Sequence, residues 1–287
     1  MVDLQKDTIS VLVPIYNGER FLKTTLNQIL RNASSEYNLQ IIALNNNSSD
    51  TTSEILEHYS NDIKIYSNND TLSPGQNWTR ISRLATGQYT TLICADDYIL
   101  KDSISKKYNI IKNNDIDFVF SSRGVIDKND NIILKSISSV LKSGLYSGKD
   151  ILDLCIKYGT NLIGEPFSVL FKTSTLIDNL PWEDEYPYLL DLSLYTKILK
   201  RNRYVFFTEE NLGFFRVHDM SMSSQISNDQ AIQFYNFINQ QFDTSYRVNL
   251  LNLKIKTVIR QQLRSILYLY INFLSFLPFK RRKIDIL

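Results

Sequence analysis

Two acids, Asp96 and Asp97, stand side by side near the end of the run TTLICADDYIL, Thr90–Leu100. Adjacent like charges repel, so the pair needs water, a cation or a basic side chain beside it. The residues before it are apolar, as in a strand buried on both faces of a parallel sheet. In open α/β sheets, ligands bind just past such strand ends. Carboxylate oxygens suit hard cations such as magnesium and manganese. Such ions use one or two carboxylates and fill their shell with substrate phosphates. The pair therefore reads as a metal–diphosphate site, weighed against a solvated loop or a helix cap.

Two further positions could carry chemistry. His218 lies in FFRVHDMSMS, two residues after Arg216. On a strand, residues two apart share a face, so imidazole and guanidinium would project together. That suits metal ligation or a diphosphate contact, beside the alternative of a structural histidine. The other histidine, His58, falls on a polar helix face and reads as surface. Asp191, in YPYLLDLSLYTKILK, opens a helical apolar stripe. There it is either an N-terminal helix carboxylate or a general base for an attacking hydroxyl. The Asn45–Asp50 run reads as a turn with a helix cap, or as a strand-end amide that meets a nucleobase edge.

The elements that must position these residues alternate. Strands are expected at Ile9–Pro14, Leu39–Asn45, in IKIYS and in QYTTLICADD. Helices are expected in FLKTTLNQIL, from Thr51 to Tyr59, and through QNWTRISRLAT with Gly87 as the stop. That alternation predicts an α/β domain with a mainly parallel sheet. Beyond it, two more strands, a helix in GKDILDLCIKYG, a loop entering a strand at Asn161 and the extended YVFFTEENLGFFRVH follow. After about Ser227 the pattern turns to long helices. The expected division is a catalytic unit over 1–227, with halves at about 1–100 and 101–227, and a helical extension over 228–287.

Composition narrows the class. The chain has 287 residues, 43% hydrophobic and 22% charged, as in an ordinary globular protein. A net charge of +2 gives no reason to expect nucleic-acid binding. The two cysteines, Cys94 and Cys155, form no C-x-x-C pair, so neither a zinc knuckle nor a disulfide framework is indicated. A reducing cytosol fits, and the start lacks signal-peptide character. No Walker motif, G-x-G-x-x-G or G-x-S-x-G elbow occurs, which removes support for P-loop, Rossmann and hydrolase readings.

The motifs together resemble family 2 glycosyltransferases, inverting enzymes with a GT-A fold. ISVLVPIYNGERFLKTTLNQIL is similar to that family's first strand, nucleotide loop and helix. IIALNNNSSDTTSEIL resembles its second strand and D-D-G-S-T-D-like turn. SPGQNWTRISRLATGQYTTLICADDYIL resembles the Asn-bearing helix and the strand into the D-x-D-type motif. YLLDLSLYTKILKR resembles the E-D-x-x-L segment of the base, and LGFFRVHDMSMS the Arg-x-His…Ser end of the bacterial polysaccharide branch. The resemblance spans about Thr8 to Ser224.

It implies that Pro14, Tyr16, Asn17 and Glu19 line the nucleotide pocket, with Asn45 at the base and Asn77 near the donor. Asp96 would be the last acid of the metal motif, with Asp97 next to it. His218 would complete the metal shell or touch the diphosphate, supported by Arg216, and Asp191 would be the base. Glu165, in NLIGEPF, would face the acceptor. The implied cofactor is Mn2+ or Mg2+, the donor a nucleotide-sugar (a UDP-sugar by expectation) and the acceptor a glycan or lipid-linked glycan of a bacterial surface polysaccharide. Three positions depart from the pattern: Cys94 replaces the first D-x-D acid, Asn45 an acid that contacts the base, and Leu190 a Glu before the base. The competing expectations are a nucleotidyltransferase of similar fold, for which PIYNGER offers only Gly18 and Arg20, and a non-catalytic sugar-binding subunit.

The tail carries an apolar helical stripe over Ile255–Phe279, then the basic cluster Lys280–Lys283. An apolar face beside basic residues suits a membrane surface as well as a protein partner. The expected place is the cytoplasm, or the cytoplasmic face of the inner membrane.

Overall fold

The computed structural model describes residues 4–137, 140–201, 203–218, 230–242, 251–256 and 258–259. The stripe beyond 259 and the basic cluster at 280–283 lie outside the described residues, as does the motif end at Ser221–Ser224.

The first half follows the alternation. Strand β1 (Gln5–Ile15) leads to helix α1 (Leu22–Leu30). Strand β2 (Asn38–Asn45), helix α2 (Thr52–Glu57), strand β3 (Lys64–Ser67), helix α3 (Pro74–Ser82) and strand β4 (Gly87–Leu92) come next. Then come the short β5 (Tyr98–Ile99), α4 (Ser103–Lys112), β6 (Phe118–Ile126), β7 (Ile132–Leu134) and β8 (Gly144–Ser147). Helix α5 (Gly148–Tyr158), β9 (Val169–Lys172), α6 (Thr173–Ile177), α7 (Leu190–Leu199), β10 (Tyr204–Arg216) and α8 (Gln230–Gln241) complete the described elements.

All ten strands join one sheet, with main order β3-β2-β1-β4-β9-β6-β10-β5. Strands β1, β2, β3 and β4 run parallel, β6 and β10 run parallel to each other, and β9 is antiparallel to both β4 and β6. The long strands thus point one way, and their C-terminal ends form one edge. Because β9 runs the other way, its beginning, and the 161–168 loop before it, reach that same edge.

The odd residues of β1, Ile9, Val11, Val13 and Ile15, pack with Leu22, Leu26 and Ile29 of α1 and Ile104 and Tyr108 of α4. The even residue Leu12 packs on the other face with Ile81 of α3, Ile151 of α5 and Tyr195 of α7. A period-2 strand with both faces covered by helices is apolar on both, as Ile9, Val11, Leu12 and Val13 are; the polar Ser10 among them is buried but satisfied, donating to Gln40 Oε1 (2.5 Å) and accepting from Gly87 N (2.9 Å). Pro14 fits this central strand because β4 has stopped beside it. The last bond on that side is Ile93 N–H to Leu12 O (2.8 Å), so the missing proline N–H faces no strand.

Three boundaries differ from the sequence expectation. Helix α2 ends at Glu57 rather than Tyr59, because His58, Tyr59 and Ser60 bond to carbonyls three residues back, tightening the last turn. Strand β4 stops at Leu92, because Cys94–Asp97 folds into a turn. Helix α3 ends at Ser82, and Gly87 opens β4 instead of stopping the helix. A Cβ on Gly87 would stand 2.6 Å from Thr8 O and 2.8 Å from Ser10 N, so its glycine is required by the backbone of β1. Among the described residues, no helix is long and apolar enough to cross a membrane.

Gly87→Ala is therefore expected to destabilise the fold by about 1–3 kcal/mol through overpacking against a strand that cannot yield, read as a lowered urea midpoint with unchanged m-value.

Candidate active site

The loops at the C-terminal edge are locked to one another by side chains. Asn17 Oδ1 accepts from Ser49 N (2.9 Å), and Asn17 N donates to Ser48 Oγ (3.0 Å). Glu19 Oε2 accepts from both Thr51 N (3.2 Å) and Thr51 Oγ1 (3.0 Å), while Glu19 N donates to Asp50 Oδ2 (3.0 Å). Asn45 turns back on its own loop: Oδ1 accepts from Ser48 N (3.0 Å) and Nδ2 donates to Ser53 Oγ (3.0 Å). Asn17 and Asn47 hold left-handed backbone, φ 50° and 57°, which asparagine tolerates better than most residues. So Asn17, Glu19 and Asn45, expected as nucleotide contacts, spend these groups on building the rim. Tyr16, 57% exposed, is the aromatic member of the set and lies open to solvent.

Asn77 is buried. Its Oδ1 accepts from Asn68 Nδ2, which also donates to Asn46 Oδ1. This amide chain fixes the loop between β3 and α3 and keeps Asn77 away from the surface where a donor was expected. The N-terminus of α3 carries a Ser73–Gln76 capping box. Asp184, from the segment leading to α7, adds to it by accepting from Ser73 Oγ (2.5 Å) and Gly75 N (2.7 Å).

Asp96 and Asp97 part company. Asp97 is buried, 3% exposed, and its Oδ2 accepts from Cys94 N (3.0 Å). Burial, and then the neighbouring Asp96 and Glu165 charges, hold its carboxyl well above the usual range. It closes the turn and faces inward. Asp96 points outward, and its Oδ2 lies 2.9 Å from His218 Nε2. Arg216, expected at the donor, is 1% exposed. It donates from Nε to Asp96 O (3.0 Å), and from Nη1 to Asp127 O (3.1 Å) and Asp130 Oδ1 (2.5 Å). The Arg216 guanidinium stacks on Phe21, 4.4 Å from the ring centroid, and the His218 ring lies 5.1 Å from the same centroid. Arg216 and His218 do project together, but the guanidinium holds the Asp96 backbone while the imidazole meets its carboxylate.

The pair has the spacing that a divalent ion asks of two neighbouring ligands. Neighbouring ligands on an octahedral ion with bonds of about 2.05 Å stand about 2.9 Å apart. The Asp96–His218 separation matches that edge. Among the described residues no group of three or more His, Cys, Asp and Glu side chains forms a ligand set. An ion on this pair would complete its shell with diphosphate and water oxygens.

Asp191 occupies the first turn of α7, a helix buried nearly all round. Its Oδ1 accepts from Leu192 N (2.7 Å) and its Oδ2 from Asn161 Nδ2 (2.9 Å). Burial first, and the Glu165 charge second, raise its pKa to about 7, opposed by the Leu192 N–H, Arg123 and Asn161. Glu165 itself is paired with the Arg123 guanidinium. Buried Lys107 donates to Phe167 O (2.6 Å) and fastens the loop from below; burial lowers its pKa to about 7. Cys94 lies among these acids. Burial and the charges of Asp97, Asp96, Asp191 and Glu165 hold its thiol well above its usual pKa. Asn161, Arg123, Phe21 and Asp130 were not singled out in the sequence, and only the Asn in NLIGEPF carried a local signal, its turn propensity.

Comparisons with known proteins bear on this arrangement. The family model described as Glycosyl transferase family 2 matches residues 10–174, more than half of the chain. An uncharacterized glycosyltransferase of Methanocaldococcus jannaschii is 29% identical over 136 residues, 46% of this chain and 47% of that protein. The poly(ribitol-phosphate) beta-glucosyltransferase of Bacillus spizizenii is 26% identical over 113 residues, 38% of this chain and 18% of the enzyme. The chain thus spans less than half the length of these relatives. Among solved structures, S. aureus TarS 1–349 in complex with UDP-GlcNAc superposes with a TM-score of 0.62 at 17% identity, covering 88% of this chain and 71% of TarS. A mannosyltransferase of Pyrobaculum calidifontis in complex with GDP-Man and Mn2+ gives 0.61 at 11% identity, covering 95% and 81%. At such identities the likeness concerns the fold, which is GT-A.

The raised Asp191 carboxyl has a consequence for stability. The unfolded chain releases this proton near pH 3.9, whereas the folded chain keeps it to about pH 7. Between those values the native state binds more protons, so this group's contribution to stability falls as pH rises and is at its lowest above pH 7. Asp191→Asn, which does not titrate, is expected to melt above the wild type at pH 8. The gap should shrink as pH falls from 7 towards 4 in paired thermal melts.

Proposed function

The chain belongs to glycosyl transferase family 2, and from that premise we propose that it transfers a sugar from a nucleoside-diphosphate sugar to a glycan hydroxyl, with inversion. A UDP-sugar is the donor we favour, and a bacterial surface polysaccharide or its lipid-linked precursor the acceptor. The B. spizizenii relative, named for action on poly(ribitol-phosphate), and the UDP-GlcNAc complex of TarS support the two choices.

One observation carries the reading. Asp191, a carboxylate whose burial raises its pKa to about 7, is held by Asn161 at the sheet edge, and both it and Asp96 lie near enough to act on the Cys94 thiol. A general base works best when its pKa lies near the operating pH, since it is then both ionised and basic enough to take a proton. Asp191 takes the proton of the acceptor hydroxyl as that oxygen attacks the anomeric carbon. The bond from that carbon to the diphosphate oxygen breaks on the opposite face, and the configuration inverts in one displacement. Asp96 and His218 would hold a divalent ion, Mn2+ or Mg2+, which when bound neutralises charge on the leaving diphosphate. Arg216 fixes the backbone of Asp96 for that purpose, and Phe21 supports both Arg216 and His218. Exposed Tyr16 offers a ring on which the base can lie. Glu165, 28% exposed, keeps part of its carboxylate towards the acceptor side while paired with Arg123.

Two sets of measurements test this. Release of nucleoside diphosphate from a panel of UDP- and GDP-sugars, with and without Mn2+, should be metal-dependent and favour UDP-sugars. In Asp191→Asn, kcat should fall by about 10²–10⁴-fold with donor affinity retained. Asp96→Ala and His218→Ala should each raise the metal concentration needed for half-maximal rate. Wild-type turnover in Asp191→Asn would remove the base. Unaltered metal dependence in both other variants would remove the ion site.

A further inference from the structure

We infer that Asn161 is the positioning residue of the Asp191 carboxylate, through a side chain that anchors its own loop with one end and orients the carboxylate with the other. This rests on Asp191 being the base.

The two ends of the Asn161 amide do different work. Oδ1 accepts from Ile163 N (3.0 Å) and Gly164 N (3.1 Å), which closes an Asx-type turn. Nδ2 donates to Asp191 Oδ2 (2.9 Å) and to Gly164 O (3.2 Å). The amide orientation follows from this network. A flip would set the amide oxygen against a carboxylate and a carbonyl, and the NH2 against two N–H groups.

The loop that carries Asn161 is itself held. Gly164 adopts φ +97°, a backbone state that favours glycine, and its missing Cβ makes room for the Arg123 guanidinium. Arg123 Nη2 reaches Asn161 O (3.5 Å), and its Nε engages Glu165. A turn pinned at both ends thus presents one N–H to one oxygen of Asp191.

The carboxylate needs that contact. The terminal torsion of an aspartate is broad, so rotation of the carboxyl plane is cheap without partners. Leu192 N holds Oδ1 from within α7, and Asn161 holds Oδ2 from outside it. With both oxygens held, the plane is set, and each oxygen keeps a lone pair for an incoming hydroxyl. Orientation of this kind is a large part of what a base contributes. The groups facing Asp191 are Glu165, Arg123, Cys94, Cys155 and Tyr195. Glu165 opposes its ionised form, while Arg123 and the Asn161 N–H favour it. Loop 161–165 therefore orients the base and, beside the larger effect of burial, shifts the pH at which it ionises.

Asn161→Asp separates the two ends. An aspartate keeps the acceptor for Ile163 N and Gly164 N, so the turn is retained, but it replaces the N–H towards Asp191 with a second carboxylate. Asn161→Ala removes both ends. Both variants should give cooperative melts. Each should lower kcat at pH 7 by about tenfold or more, with donor KM within about twofold of wild type. The acidic limb of the kcat–pH profile should move to higher pH in both, and further in Asn161→Asp. A merely structural role would leave that limb in place. The readout is nucleoside-diphosphate release from the best donor of the panel. Wild-type turnover in Asp191→Asn would remove the base reading itself. An inactive Asp191→Asn beside Asn161 variants with an unmoved limb and kcat would leave the base standing and overturn this inference. If Asn161→Asp loses its cooperative melt, Asn161→Ala alone decides by the same limb.

Discussion

Four carboxylates, Asp96, Asp97, Glu165 and Asp191, act on the thiol of Cys94, and this crowding of like charge shapes the site around it. Acids at such spacing cannot all stay ionised and unpartnered in a part-buried place. Each is answered differently. Asp97 turns inward, and burial raises its pKa well above the usual carboxyl range. Asp96 faces His218, and its backbone is held by Arg216. Glu165 takes Arg123. Asp191 receives two N–H groups and keeps a pKa near 7. The different answers give one chemical group four settings: a turn closure, a carboxylate facing an imidazole, an ion pair and a carboxyl held by two N–H groups. Where the D-x-D pattern has a first acid, this chain has Cys94. A fifth carboxylate there would add charge to a place that already holds four.

The sheet makes such crowding affordable. Its long strands end together, so their loops converge without bending the core. The rim is then stiffened by short side chains bonding across loops, such as Asn17 to Ser49, Glu19 to Thr51 and Asn45 to Ser48. Several residues expected to touch ligand are therefore the frame that holds the ligand surface in shape. The antiparallel β9 has a particular part, because its direction brings Asn161 and Glu165 to the edge where α7 begins. Had β9 run parallel, that loop would lie at the far end of the sheet, away from Asp191.

The alternation of elements, the mainly parallel sheet and the strand ends from which its loops leave were legible in the chain. ISVLV is apolar at every position but Ser10 because both faces of β1 are covered, and periodicity records that directly. Asp96, His218 and Asp191 were legible as residue types after strand ends or at a helix start. What the chain alone did not carry was which polar atom meets which. Asp96 and Asp97 are neighbours with opposite fates, because one oxygen of Asp97 finds Cys94 N three residues back while Asp96 meets a histidine 122 residues on. Arg216 and Asn77 look like ligand contacts by type, yet Arg216 donates to Asp96 O, Asp127 O and Asp130 Oδ1, and the Asn77 amide oxygen accepts from Asn68. Gly87 reads locally as a helix stop, and only the approach of β1 shows why no side chain fits there. Local sequence determines backbone periodicity, since that depends on neighbours a few residues apart. The pairing of charges and the ionisation of Asp191 depend on burial and on groups far along the chain, so the tertiary structure alone decides them.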